Sequence, residues 1–93
     1  MTSGIDFSPG QIVYAETTPE FKEDLLQVTY PDGQILDVGW YPEGDPEGEY
    51  RLLAVSDGDW DMPLLDFSTA EEQRLKELII EAANTIRRAQ RTY

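Results

Sequence analysis

The sequence predicts an α+β fold, in which a small antiparallel sheet of three to four strands, connected as a β-meander, is packed by one long C-terminal helix. Two patterns predict it. Apolar residues alternate with polar ones on both sides of the turn at 31–33, which is typical of a β-hairpin. After residue 68 apolar residues instead recur every three or four positions, which is typical of one face of an α-helix. A chain of 93 residues has the size of one small domain, so we expect a single domain over 1–93.

The chain begins with a segment of little periodicity. Residues 1–10 contain Gly4, Pro9 and Gly10, and we expect them to form a loose lead-in. The β-meander is predicted over 11–67.

Strand patterns recur through the meander. Segment 25–30 places Leu26, Val28 and Tyr30 on one face. In the next predicted strand, 34–41, Trp40 lies on the apolar face, so its neighbour Tyr41 points to the opposite face. Segment 50–56 is apolar enough to be a central strand. The predicted strands are 11–16, 25–30, 34–41 and 50–56, with 63–67 as an optional short edge segment.

The C-terminal helix is predicted over 68–91. Ser68 and Glu71 have the spacing of a capping box, with Ser68 as the N-cap. Such a helix would be about 34 Å long, against about 20 Å for a six-residue strand, so we expect it either to cross the sheet obliquely or to overhang it. Its last two turns, with the arginines and Tyr93, are the part expected to project, fray or meet another chain. Arg87 and Arg91 form a like-charged i,i+4 pair, which predicts negative groups nearby, most simply on the same domain.

The composition excludes several kinds of chemistry. The chain has 19 acidic and 7 basic residues, a formal charge of −12, no histidine and no cysteine. Disulfides, thiol nucleophiles and imidazole bases are therefore excluded, and direct nucleic-acid binding is not expected of so acidic a chain. The N-terminus has neither a basic nor an apolar stretch, so we expect a cytoplasmic protein that does not bind membranes. No nucleotide-binding motif is present, and we expect neither a cofactor nor enzymatic activity.

One segment has the spacing of metal ligands. Asp57, Asp59 and Asp61 match the first three ligand positions of a calcium loop. The sixth position of such a loop requires glycine but is Met62 here, and the twelfth requires glutamate but is Ser68. An EF-hand is excluded, and the three aspartates are at most a weak cation site. The alternative is a β-turn whose carboxylates face water.

The acidic residues between 43 and 61 suggest a protein-binding surface. Because the segments 43–49 and 57–61 flank one predicted strand, we expect two separate acidic rims at its opposite ends. An exposed aromatic residue surrounded by carboxylates would suit a basic partner. Trp60 is equally compatible with a surface anchor and with a lid over the core. The predicted partner-binding residues are Tyr41, Glu43, Asp45, Glu47, Glu49, Asp57, Asp59, Trp60 and Asp61.

Two functions remain open on the sequence alone. The first is an inhibitor, immunity-type or adaptor protein that occupies a basic surface of another protein. The second is a structural or assembly subunit that forms a homodimer, or docks in a complex, through the long C-terminal helix.

The acidity belongs to the sheet and its loops, because residues 1–70 hold 15 of the acidic residues and 2 of the basic ones.

Overall fold

The structure, a computed structural model, describes residues 4–15 and 24–90 of the chain. These residues form five strands and one helix. The strands make one antiparallel sheet in the order β1-β2-β3-β4-β5, so each strand pairs with its neighbour in sequence, and the helix packs on the sheet. The predicted α+β meander is thereby confirmed, with one strand more than expected. The elements are β1 Gln11–Ala15, β2 Leu26–Thr29, β3 Gln34–Tyr41, β4 Glu49–Ser56, β5 Leu65–Thr69 and α1 Glu72–Ala89.

The β2–β3 hairpin forms where the alternation predicts it. Gly33 has a positive φ of 91°, which favours glycine at the end of this turn. The N–H of Tyr30 donates to the carbonyl of Gln34 (2.9 Å), and the Asp32 carboxylate accepts from the Gln34 N–H (2.9 Å). The alternating apolar side chains are completely buried, namely Leu26, Val28, Leu36 and Val38.

The fifth strand displaces the predicted start of the helix. Ser68, the expected N-cap, lies in β5 and pairs with Arg51 of β4. The N-cap is Glu71, without a side-chain cap bond, and the Thr69 hydroxyl accepts from the Glu71 N–H (3.1 Å). The capping-box prediction is wrong because β5 pairs with β4 over five residues, whereas a side-chain cap stabilises a helix by only about 1 kcal/mol.

The last described turn of the helix does not overhang the sheet. With 18 residues the helix is about 27 Å long, and the eight-residue strands β3 and β4 are each about 26 Å long. Its last turn is covered, since Ile86 is 1% and Gln90 7% exposed. Of the two expected arrangements, the overhang is therefore wrong for the described residues, and Arg91 and Tyr93 lie outside them. The apolar stripe packs into the core, with Leu75, Leu78, Ile79, Ala82, Ala83 and Ile86 buried.

Residues 4–10 are fastened to the helix. Phe7 is 5% exposed and belongs to the core, and the N–H of Gly10 donates to its carbonyl (2.7 Å). The Arg87 guanidinium donates to the carbonyls of Ser8 (2.8 Å, from Nε) and Asp6, and lies 3.8 Å from the Asp6 carboxylate. The expected loose lead-in is wrong for these residues, while residues 1–3 lie outside the description. The negative groups predicted near Arg87 belong to the same chain.

Candidate functional site

The two acidic loops lie at opposite ends of β4. The β3–β4 loop comprises residues 42–48 and the β4–β5 loop comprises residues 57–64. Because β4 has eight residues, the two ends of the strand are about 26 Å apart. The structure therefore divides the predicted partner-binding residues into two groups. The first group is Tyr41, Glu43, Asp45, Glu47 and Glu49, and the second is Asp57, Asp59, Trp60 and Asp61.

The β3–β4 loop is tied to the core through Trp40. This side chain is 4% exposed, packs edge-to-face on Tyr50 with ring centroids 4.7 Å apart, and donates its indole N–H to the Asp45 carbonyl (2.6 Å). A Cβ at Gly48 would lie 2.9 Å from the Trp40 indole nitrogen, so the close approach of the loop requires glycine there. The conformation of this loop thus follows from core packing.

The surface of the β3–β4 loop combines carboxylates with one half-exposed aromatic ring. Tyr41 is 38% exposed and pairs across the strands with Glu49. It lies on the sheet face opposite to the buried Trp40, as the alternation predicts. The Asp45 carboxylate accepts the Glu47 N–H (2.9 Å), so one of the predicted contact residues also shapes the loop.

The β4–β5 loop is held to the sheet at both ends. At its start, Asp57 has a positive φ of 54° and donates its N–H to the Gly33 carbonyl (3.0 Å), next to the β2–β3 turn. At its end, the Leu64 N–H donates to the Ala54 carbonyl (2.7 Å). The backbone of the loop is therefore anchored on two neighbouring parts of the sheet.

Between these anchors the loop exposes three large apolar side chains. Trp60 is 45%, Met62 74% and Leu64 58% exposed. Asp59 and Asp61, on either side of Trp60, are exposed as well. The structure thus places Trp60 on the surface, and the lid interpretation is wrong. We call these three side chains the apolar triplet. Sequence reasoning missed Met62 and Leu64, because Leu64 falls in the segment 63–67 that could equally form an edge strand.

The aspartates of this loop do not form a metal centre. Among residues 4–15 and 24–90, no group of three or more acidic side chains is close enough to hold a cation. The carboxylate of Asp57 lies against the turn at Gly33. The spacing of Asp57, Asp59 and Asp61 along the sequence is therefore not accompanied by convergence in space.

A second group of titratable side chains lies toward the β1 edge of the sheet. The Tyr14 hydroxyl of β1 is 3.3 Å from a carboxylate oxygen of Asp24 and 3.4 Å from one of Asp37. Burial, with the neighbouring carboxylates, raises the pKa of Tyr14. Burial also raises the pKa of Asp37, against the opposing hydrogen bonds from Gln27 and Tyr14. One hydroxyl shared between two carboxylates links edge strand β1 to β3.

One groove lies between residues 4–6 and the helix. Its volume is about 220 Å³, and its walls include Ile5, Ile80 and Arg87. The third guanidinium nitrogen of Arg87 donates to the Asn84 side chain (2.9 Å), and the other two donate to main-chain carbonyls. All three guanidinium nitrogens of Arg87 are thus engaged in holding residues of the same chain.

The described part of the chain contains no helix that is both long and apolar enough to cross a bilayer. Comparison of the chain with protein-family models, with curated proteins and with solved structures finds no significant match.

Proposed function

We propose that this chain is a non-enzymatic, acidic protein-binding module of the cytoplasm, which acts as an inhibitor, immunity-type or adaptor protein by occupying a basic surface of a partner protein. The observation that carries the proposal is the exposure of the apolar triplet, with Asp59 and Asp61 on either side of Trp60, in a loop that is anchored at both ends. In this proposal the triplet enters an apolar depression on the partner, and Asp57, Asp59 and Asp61 face basic residues at its rim.

The energetics support the apolar triplet as the anchor. Burying one large apolar side chain contributes about 1.5 to 3 kcal/mol. Binding energy also concentrates in a few central residues, among which tryptophan is enriched. Trp60, Met62 and Leu64 lie within five residues of one another, so a single depression can receive them. Because the loop backbone is already held by Gly33 and Ala54, binding needs to order little more than side chains.

The charge supports a basic partner. The formal charge of −12 raises the rate at which a basic protein meets this surface, and like-charged proteins are repelled. The β3–β4 loop lies at the far end of β4. We propose that Tyr41, Glu43, Asp45, Glu47 and Glu49 contribute chiefly to this long-range attraction, and that the β4–β5 loop makes the direct contact.

Partner capture with two matched variants tests the proposal. Trp60→Ala removes the anchor, and Ile80→Ala removes a side chain of similar exposure (41%) on the helix. Proteins retained by the wild-type chain from a lysate of the source cells are identified, and the dissociation constant of each purified candidate is measured by calorimetry. We expect a basic protein whose affinity falls by about 30-fold or more with Trp60→Ala and by less than about twofold with Ile80→Ala.

The salt dependence of the complex provides the second measurement. Asp59→Asn with Asp61→Asn should lower the association rate at low salt, and the difference should shrink as salt is raised. Equal binding by Trp60→Ala and the wild-type chain, or retention of no basic protein, would contradict the proposal. A dimer whose mass in light scattering does not change with salt would instead favour the assembly subunit; its interface would need helix residues other than the buried stripe.

A further inference from the structure

The two edges of the sheet differ in regularity. At β1 the pairing with β2 shifts register between Ile12 and Tyr14, and such bulges protect an edge from pairing with other chains. At the opposite edge, β5 pairs with β4 without interruption from Leu65 to Thr69. Among residues 4–15 and 24–90 no strand pairs with the outer side of β5. The regular edge is therefore the one suited to receive another strand.

The side chains of β5 do little to prevent such pairing. The strand contains neither proline nor lysine, two residues that commonly protect edges. Its one charged residue, Asp66, is neutralised by Arg51 of β4, which contacts both carboxylate oxygens (3.2 and 3.0 Å). Phe67 is 37% exposed although its cross-strand neighbour Leu52 is completely buried. A strand added at this edge would cover Phe67.

The charges around β5 select the occupant of the edge. Asp57, Asp59 and Asp61 precede the strand, and Glu71 and Glu72 follow it. A second copy pairing antiparallel through β5 would bring the aspartates of one chain toward Glu71 and Glu72 of the other, so like charges would oppose the dimer. A strand with basic residues at both ends would meet carboxylates at both ends.

We propose that the partner adds an extended strand, with basic residues at its two ends, to the outer edge of β5, beside the apolar triplet. This inference rests on the proposed function and specifies how the partner binds. Main-chain hydrogen bonds to β5 supply affinity, and the flanking carboxylates supply the preference for a basic strand. The apolar triplet then contacts the body of the partner next to that strand.

A synthetic peptide tests the edge separately from the apolar triplet. The probe is the acetylated and amidated peptide Lys-Arg-Val-Thr-Val-Lys-Arg. Its control has the same sequence with N-methyl groups on every internal residue, which keeps the charges but removes the N–H groups that could pair along either edge of the peptide. The chain itself stays unmodified, so folding is not at risk. Binding is followed through the amide NMR signals and the hydrogen exchange of the full chain at about 1 mM peptide.

We expect the unmethylated peptide to shift the amide signals of 65–69 and to slow their exchange, and the methylated control to bind about tenfold or more weakly. The signals of 11–15 should not move. Equal binding of the methylated control, shifts confined to 43–49, or no shift in 65–69 would overturn strand addition. The proposed function has a separate test: if Trp60→Ala abolishes partner capture while the peptide leaves β5 unchanged, the binding function stands and strand addition is wrong.

Discussion

Replacement of Arg87 by alanine tests whether the helix holds the N-terminal segment. The guanidinium donates to the main-chain carbonyls of Ser8 and Asp6 from a side chain that is 35% exposed. A hydrogen bond from a charged donor contributes about 1.5 to 3 kcal/mol when shielded, and less when water competes. For Arg87→Ala we therefore expect the free energy of unfolding to fall by about 2 kcal/mol.

The loss of stability caused by Arg87→Ala grows if residues 4–10 are released from the helix altogether. Phe7 is 5% exposed, and exposing a buried phenylalanine costs about 1.5 to 3 kcal/mol more. Release would also break the bond from the Gly10 N–H to the Phe7 carbonyl, so hydrogen exchange at Gly10 should become faster. The loss of stability should thus lie between about 2 kcal/mol, with Phe7 still packed, and about 5 kcal/mol, with Phe7 exposed.

The adjacent residue provides the matched control. Arg88 is exposed on the same helical turn, so Arg88→Ala makes the same change of charge and helix propensity without touching residues 4–10. Urea unfolding of both variants gives the two free energies. We expect Arg88→Ala to change stability by less than about 0.5 kcal/mol. Equal losses in the two variants, or unchanged exchange at Gly10 after Arg87→Ala, would refute the fastening role.

Two further predictions concern the core and the carboxylates. Trp40→Phe removes the indole donor to the Asp45 carbonyl and should lower the free energy of unfolding by about 1 to 2 kcal/mol in urea, whereas Trp60→Phe on the surface should change it by less than about 0.5 kcal/mol. Burial raises the pKa of Asp37, so the folded protein binds this proton more tightly than the unfolded chain and ionised Asp37 opposes folding. Asp37→Asn should therefore raise the free energy of unfolding at pH 7, and this gain should shrink as the pH falls toward the ordinary aspartate pKa of about 3.9. Urea unfolding of both proteins at several pH values measures the gain. A difference in the free energy of unfolding that stays constant with pH would contradict this reasoning.

Periodicity predicted the sheet because side-chain direction in a strand is a local property. The alternation at Leu36, Val38 and Trp40 identifies the buried face without knowledge of what covers it. The predicted start of the helix at Ser68 was wrong because strand pairing, unlike side-chain direction, is not a local property. Residues 68–71 carry a valid local capping signal, but β4 offers the backbone of Ser68 a partner that is distant in sequence.

The candidate site was predicted in part. Acidic loops at the two ends of β4 followed from strand order, since consecutive hairpins of a meander lie at opposite ends of the shared strand. The exposure of Met62 and Leu64 did not follow, because an apolar residue in a loop is exposed or buried according to the surface beneath it. In the fold the loop is bonded to Gly33 and Ala54 at its two ends, and the side chains of Met62 and Leu64 lie exposed.

The sequence by itself determined the α+β class, the buried faces of β2 and β3, the apolar stripe of the helix and the acidity of the loops, because each depends on residues close together in the chain. The tertiary structure alone decided what holds residues 4–10, which edge of the sheet is regular, and which apolar side chains reach the surface. Arg87 bonds to Ser8 across 79 positions of sequence. Contacts of that kind depend on which distant segments the fold brings together, and no local pattern encodes them.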